Sequence, residues 1–391
     1  MRPGVLAGLL ALCAGAADPA ARADAGDERR ADRLVAVALF SKTASVSFRP
    51  EGSFRAVDQS TGELATLDSG RDYKVEAEKG KDGKVRLLFG PHLFGGSARL
   101  LPGNAEEFVS IGERRYRGNL LFRPNPDATI TVVDELGLEE YLFGVLPHEM
   151  SPDWPLEALK AQAVVSRTYA LARLGKGQDE AFDLTDDAYS QVYTGVTTES
   201  EAVRKAVRAT SGRILTYAAK PLPAYFHSTC GGHTAGSNDV WGGAEPEPLK
   251  GVRDTWCKVS PHYRWEAYFR REDILSALNR NGFTVARLED LREGDRGSAG
   301  WLTNVRVKTE RGWTRVPANK FRLWLGVKEL KSVRFDSVRR RKKGFDFEGR
   351  GYGHGVGLCQ WGARAQADAG RSFEEILGHY FPGAALARIK E

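Results

Sequence analysis

The chain has 391 residues, of which 41% are hydrophobic and 28% charged, the balance of a folded globular protein rather than of a disordered or fibrous one. That length allows two or three domains, or one large domain with insertions, and no internal apolar run is long enough to span a bilayer. A net charge of +6 suits an anionic polymer or surface, but so slight an excess supports no reading as a nucleic-acid binder.

Arg2 precedes an apolar run, Val5–Cys13, and small residues lead to Ala21-Arg22-Ala23. This pattern reads as a secretory signal cleaved after Ala23. The minority alternative is lipid anchoring at Cys13, but Leu12 is bulky where a small residue is wanted. Cleavage removes Arg2, Asp18 and Arg22, lowers the net charge to +5, and places the product in the periplasm or cell envelope without a transmembrane segment. Residues 24–33, DAGDERRADR, read as a charged leader.

From Leu34 the chain is rich in strand signals. RLVAVALF alternates, SVSFRPEGSFRAVD holds two short strands around a Gly turn, KVRLLFG is a further strand, and RYRGNLLFRPNPDATITVVDEL reads as a hairpin broken at Pro124-Asn125-Pro126. Beyond Gly137 the period changes. Leu138, Tyr141, Leu142, Val145 and Leu146 form a helical stripe that should end at Pro147, and Pro155 opens a second helix over about 155–174. Glu149 falls in the break between them. A third helix is expected at 199–210, strands in RILTYAAKPLPAYFHS, a Gly-, Pro- and Trp-rich loop at 229–265, and a helix near 272–281. Strands are expected in LTNVRVKT and FRLWLG, and helices again from Gln360 and Ser372. The basic run RRRKKG (339–344) reads as a solvated turn. The class is α+β: a β-rich N-terminal region, 34–130, then a mixed helix and strand core, 131–391, with loops inserted at 229–265.

Five groups of residues could carry chemistry. Glu149 sits among Leu146, Met150 and Trp154; a carboxyl in an apolar pocket has a raised pKa and can protonate a leaving oxygen. A Glu that merely caps the second helix is the plainer reading. Lys160 and Arg167, seven residues apart, share one helix face and could hold an anionic group, though a solvated face is the usual meaning of such a pair. FHSTCGGH and WCKVSPH offer His227, Cys230, His233, Cys257 and His262. A Cys230–Cys257 disulfide reads slightly ahead of a structural zinc on His227, Cys230, Cys257 and His262, and a catalytic zinc is a distant third. GRGYGHGVGLCQWGA (349–363) lacks the Lys of a phosphate loop. It reads either as a wall presenting His354 and Trp361 to a groove or as a tight structural turn, and Cys359 is poorly placed for a thiol–His dyad. In DDAYSQVYTG, Gln191 and Tyr193 would alternate on one strand face, suited to sugar hydroxyls and rings or to no ligand at all.

Three segments, YLFGVLPHEMSPDWPLEALKAQAVVSRTYAL, SQVYTG and GRGYGHGVGLCQWGARAQADAG, together resemble the stage II sporulation protein D family, also known as the amidase-enhancer (SpoIID/LytB) family. The resemblance covers about 34–388. It implies a glycan-binding groove and action on peptidoglycan glycan strands, either as a lytic transglycosylase or as a non-catalytic enhancer of an N-acetylmuramoyl-L-alanine amidase. It implies Glu149 as catalytic acid and Lys160 and Arg167 as a basic pair that binds substrate. With these go Gln191, Tyr193 and His354 on the same concave surface. No cofactor is required, a structural zinc is compatible, and the partners are glycan strands and a cell-wall amidase. Cys359 stands where the family often carries Ser, which speaks against a catalytic thiol.

Overall fold

In the computed structural model, residues 34–175, 182–187, 190–297 and 299–389 are described; the signal, Cys13 and the charged leader lie outside them. Strand Leu34–Thr43 pairs antiparallel with Ile130–Gly137, from Leu34 opposite Gly137 to Thr43 opposite Ile130. Around this pair grows a seven-stranded sheet in the order Leu184–Thr185, Leu34–Thr43, Ile130–Gly137, Asn119–Pro124, Ala98–Pro102, Phe54–Asp58, Leu64–Leu67. A six-stranded sheet holds the other N-terminal strands, so the two strands of SVSFRPEGSFRAVD part company at their Gly turn. Phe48, Phe89, Phe94 and Phe122 pack together in the N-terminal core. The seam expected at 130/131 falls at the start of a strand that completes this sheet and then runs straight into the first described helix.

That helix, α1 (Leu138–Glu149), differs from expectation at its end. It continues through Pro147, and the Met150 N–H still reaches the Leu146 carbonyl at 2.9 Å. Proline removes one donor, that to the Phe143 carbonyl, but with under one turn left to run there is little further helix to disrupt. Helix α2 follows (Leu156–Arg173). Thirteen of its 18 residues are buried, so it has no solvated face. Tyr169, Ala170 and Leu171 join the N-terminal core, while Ala161, Val164 and Val165 join a second, C-terminal one. The helix is the wall both cores share.

Helix α3 (Glu201–Ala209), capped by Ser200, packs on α1 and α2. Short helix α4 (Ser237–Trp241) and helix α5 (Arg271–Arg280) follow. FRLWLG, read as a strand, lies instead in helix α6 (Ala318–Leu325). Pro317 opens that helix and Phe321 and Arg322 turn inward, so its apolar residues serve a helical face that a short run cannot distinguish from a strand. RRRKKG is the turn of the hairpin Phe335–Arg340 and Gly344–Arg350. Helices α7 (Gln360–Asp368) and α8 (Phe373–Tyr380) follow, α8 with a Ser372–Glu375 capping box, and strand Ala385–Arg388 then pairs antiparallel with Arg213–Tyr217. No described helix is long and apolar enough to cross a membrane.

Candidate functional site

Glu149 is the last residue of α1, and Met150 after it is extended. Glu149 is half-buried, and the burial of its carboxyl pushes the pKa from the ordinary 4.5 to about 7. One group opposes the shift: the Val192 N–H donates to Oε1 at 3.1 Å. Among the described residues no cation pairs with this carboxylate. The backbone of Glu149 is held too. Gln360 Nε2 donates to its carbonyl at 2.9 Å and also lies 3.4 Å from Gln162 Oε1, while Gln162 Nε2 donates to Ser166 Oγ at 3.0 Å. A chain of side-chain amides thus runs from the middle of α2, through the first residue of α7, to the elbow.

The segment bearing Val192 reaches the elbow because of Gly144. A Cβ there would sit 2.5 Å from the Gly195 carbonyl oxygen and 2.7 Å from the Tyr193 ring, so only glycine lets this segment lie on α1. Residues 191–194 form no strand, and Gln191 and Tyr193 do not alternate on an exposed face. Both are 1% exposed. Tyr193 donates to Asp134 Oδ2 at 2.8 Å, and burial holds the Asp134 carboxyl well above its usual range. Gln191 Oε1 accepts from the Tyr141 hydroxyl at 3.2 Å, while its Nε2 has no partner among the described residues. These two residues support the floor behind the carboxyl instead of meeting a ligand directly.

Arg167 is likewise corrected. It is fully buried, and its guanidinium grips Glu139 in the first turn of α1, with Nε and Nη2 each 2.7 Å from a carboxylate oxygen. It donates further to the Val207 and Arg213 carbonyls. It fastens α1, α2, α3 and strand Arg213–Tyr217 together. Glu139 and Glu149 are ten residues apart, roughly 15 Å along a helix, so Arg167 belongs to the other end of α1. Lys160 pairs with Glu157 at 2.6 Å and lies over the Phe373 ring, and Glu157 also accepts from the Phe373 N–H at 2.9 Å. That ties Lys160 to α8.

The glycine-rich segment does come to the elbow, through Gln360. His354, five residues before Cys359, is partly exposed; burial, with His227 and Arg322 nearby, holds it neutral, well below the usual imidazole value. Its ring is 5.2 Å from Trp241 and 6.1 Å from Tyr225, which itself packs 4.5 Å from Trp241 and 6.1 Å from Tyr169. Tyr169 and Tyr141 both feel the charge of Glu149. An aromatic run therefore leads from Tyr169 through Tyr225 to Trp241, which is 44% exposed. Trp154 and Trp361 meet edge to face at 5.1 Å, with Arg364 over both rings. Two further acidic residues of these segments are placed differently: Asp186 is paired with Arg114 at 2.9 Å and Asp153 is exposed. A cleft of about 680 Å³ lined by Arg271, Arg287, Arg292, Lys308, Trp313 and Arg340 contributes none of these residues.

The thiols also depart from expectation. Cys230 and Cys257 are unbonded, their sulfurs 3.4 Å apart. The residues that join them are Cys359 and Asp254, not His227 and His262; all four donor atoms lie within 4.8 Å of one another. His227 turns Nδ1 to the Val356 carbonyl at 3.1 Å, and burial lowers it to about 4. His262 packs on Tyr352 instead. His233 bonds the Thr234 carbonyl.

Several of these residues carried no local signal. Tyr225 falls in a segment read as strands and Trp241 and Asp254 in the expected loop, and no pattern around any of them marks it. Gln162 did carry one: an amide inside an Ala- and Val-rich helix needs a partner if it is buried.

The family model described as stage II sporulation protein matches residues 126–217, and a domain of unknown function matches 238–357. The chain is 35% identical to an uncharacterized protein of Brachyspira hyodysenteriae, over 69% of this chain and 72% of that one. It is 30% identical to stage II sporulation protein D of Bacillus subtilis, over 65% of this chain and 76% of that one. It is 29% identical to the amidase enhancer of Bacillus subtilis, over 84% of this chain but only 52% of that longer protein.

Proposed function

The chain belongs to the stage II sporulation protein D family, and from that premise we propose that it is a lytic transglycosylase acting on peptidoglycan glycan strands, with Glu149 as its acid and then its base. The observation that carries the proposal is the state of that carboxyl. A lone, desolvated Glu with a pKa of about 7 holds a proton near neutrality and can still give it up, as general acid catalysis requires.

Glu149 donates its proton to the oxygen that links N-acetylmuramic acid to N-acetylglucosamine. As the C1–O bond breaks, positive charge develops on the muramyl ring, and the new carboxylate offsets it. The carboxylate then takes the proton of the muramyl 6-hydroxyl, whose oxygen bonds to C1 and closes a 1,6-anhydro ring. Glu149 ends protonated, ready for another cycle. The reaction needs neither water nor the paired carboxylates of most glycosidases. The Val192 N–H occupies only Oε1, so Oε2 is the oxygen for proton transfer. Tyr225, Trp241 and His354 offer ring faces for sugars, and Gln360 fixes the backbone beneath the acid.

The test is mass spectrometry of products from purified, peptide-free glycan strands. Anhydromuramyl ends that vanish in Glu149→Gln are the expected result. Reducing ends in their place mean hydrolysis, and make Asp153 and Asp186 the residues to examine. Similarity to an amidase enhancer favours one second reading, a glycan-binding protein that stimulates an amidase. In that case wild type releases no glycan fragments, and Glu149→Gln stimulates the amidase as well as wild type does. Export to the periplasm or cell envelope is part of either reading.

A further inference from the structure

Cys230, Asp254, Cys257 and Cys359 lie in three segments far apart in sequence, yet their donor atoms converge within 4.8 Å and all four residues are 0% exposed. We propose that they form a closed, structural zinc site, distinct from the Glu149 elbow and taking no direct part in the chemistry assigned to it.

The first argument is charge. Asp254 is a fully buried carboxylate whose partners among the described residues carry no positive charge. Its Oδ1 accepts from the Trp256 N–H at 2.8 Å, and its Oδ2 accepts from the Tyr380 hydroxyl at 3.0 Å and the Cys230 thiol at 3.2 Å. A buried carboxylate among thiols is costly unless a cation sits with it. A Cys230–Cys257 disulfide would leave both Asp254 and Cys359 without a purpose. One dication accounts for all four residues.

The second argument is donor chemistry. Three thiolates and one carboxylate are a four-donor set of soft character, which suits zinc in tetrahedral coordination. Backbone N–H groups already point at the sulfurs: Cys230 N lies 3.3 Å from Cys359 Sγ, and Gly232 N lies 3.4 Å from Cys230 Sγ. The Tyr380 hydroxyl orients the carboxylate in the manner of an outer-shell partner. Space is kept for this arrangement by Gly362, where a Cβ would fall 2.5 Å from Asp254 Oδ2 and 1.9 Å from the Tyr380 hydroxyl. Binding one zinc ion displaces the three thiol protons. The four protein donors complete the shell, and the site is sealed from solvent, so no position is left for substrate.

The third argument is what the site would hold. The segment from Thr229 to Tyr263 carries little regular structure beyond one short α-helix and two 3-10 turns. A metal would staple it to the start of α7. Cys359 immediately precedes Gln360, the residue that donates to the Glu149 carbonyl, so the staple would also set the height of the elbow's floor.

The experiment is metal analysis of the full chain purified without chelator, with thiol counting after denaturation. One zinc per chain and three free thiols at Cys230, Cys257 and Cys359 is the expected result. Replacement by Co²⁺ should give thiolate-to-cobalt charge-transfer absorption with the visible bands of a tetrahedral ion. Cys359→Ser should show about two-thirds of that charge-transfer intensity, one thiolate fewer, and Asp254→Asn should bind the metal more weakly. Stripping the zinc should lower Tm by about 5 °C or more, restored by adding Zn²⁺ alone. A disulfide between any two of the three cysteines overturns the proposal. So does reduced protein that takes up neither Zn²⁺ nor Co²⁺, or a metal bound equally well by Cys359→Ser and Asp254→Asn. Should Cys359→Ser fail to fold, the cobalt spectrum of the wild-type chain still decides, since it counts the thiolates. None of these readouts involves glycan cleavage, so loss of the enzymatic reading would leave the metal result standing, and the reverse.

Discussion

Both ends of α1 carry glutamate, and the structure treats Glu139 and Glu149 in opposite ways. Glu139, in the first turn, meets both arms of the buried Arg167 guanidinium and also accepts from the Gly212 N–H at 3.2 Å. Glu149, in the last turn, has one backbone N–H and, among the described residues, no cation. Position alone would favour the first and penalise the second, because a helix stabilises negative charge at its N-terminus and disfavours it at its C-terminus. The fold amplifies that difference instead of offsetting it. A paired carboxylate fastens elements together and is of little use as an acid. An unpaired one is costly to keep charged, which is the property that lets it hold and release a proton near neutrality.

The strongest way to break the comparison is to take the proton from one end only. Glu149→Gln keeps volume and most contacts, and turnover on peptide-free glycan should fall by about 10²–10⁴-fold, with glycan binding retained. Full activity in this variant would sink the enzymatic role of Glu149. The counterpart at the other end is Arg167→Met. It strips Glu139 of its partner and leaves the Val207 and Arg213 carbonyls short of donors, so stability should drop by roughly 3–5 kcal/mol in denaturant melts. Activity per folded molecule should be nearly unchanged. A selective loss of glycan affinity at intact stability would return Arg167 to the substrate.

That contrast shows what was legible in the sequence and what was not. Glu149 was legible because Pro147 and Pro155 bracket it and apolar residues surround it. The roles of Arg167, Gln191 and Tyr193 were misread because a face is judged from one element at a time. Helix α2 is a shared wall between two cores, so a stripe that looks solvated in isolation is buried. Gln191 and Tyr193 look like alternating strand residues, but Gly144 admits their segment onto α1 and turns both side chains inward. The strand content of the N-terminal half was readable from alternation and turns. Which sheet each strand would join was not, since pairing is decided by contacts distant in sequence. Asp254 and Cys359 were passed over as companions of Cys230 and Cys257 for the same reason.

The pH dependence sharpens the comparison further. The folded-state pKa of Glu149 lies above its ordinary 4.5, at about 7, so the folded chain holds this proton more tightly than the unfolded chain does. The stabilising contribution of the protonated form is complete below the ordinary value and is lost as pH rises through about 7. Between about pH 4 and pH 8 wild type should therefore lose roughly 3 kcal/mol relative to Glu149→Gln, read as diverging midpoints in parallel denaturant titrations. Turnover should fall over the upper part of that window, because the reaction starts from the protonated acid. Parallel stability curves for the two proteins would mean that the carboxyl is solvated after all.

A smaller effect is expected one bond away from the acid. Gln360→Ala removes the donor to the Glu149 carbonyl and leaves Gln162 Oε1 without its partner. Stability should fall by about 1–2 kcal/mol and turnover by roughly tenfold, since the elbow keeps its acid but loses part of its seat. An effect on turnover as large as that of Glu149→Gln would mean that Gln360 meets the substrate itself.

The smallest effect should come from Lys160, and it bears on which cations could reach a glycan at all. Its ammonium sits 2.6 Å from Glu157, and the two side chains are only 19% and 31% exposed. Glu157 in turn caps the Phe373 N–H at the start of α8. Lys160 is therefore part of a contact between α2 and α8, and a partly screened pair of this kind contributes about 0–1 kcal/mol. Lys160→Ala should shift stability by no more than that and leave KM for glycan within about twofold. A lysine that gripped the lactyl carboxylate of the sugar would behave differently. Its loss would remove a charge-assisted hydrogen bond, typically about 1.5–3 kcal/mol, and raise KM by tenfold or more with stability untouched. The two outcomes differ in which quantity moves as well as in size, so one variant measured both ways decides whether Lys160 belongs with Arg167 among the fastenings or with Glu149 at the glycan.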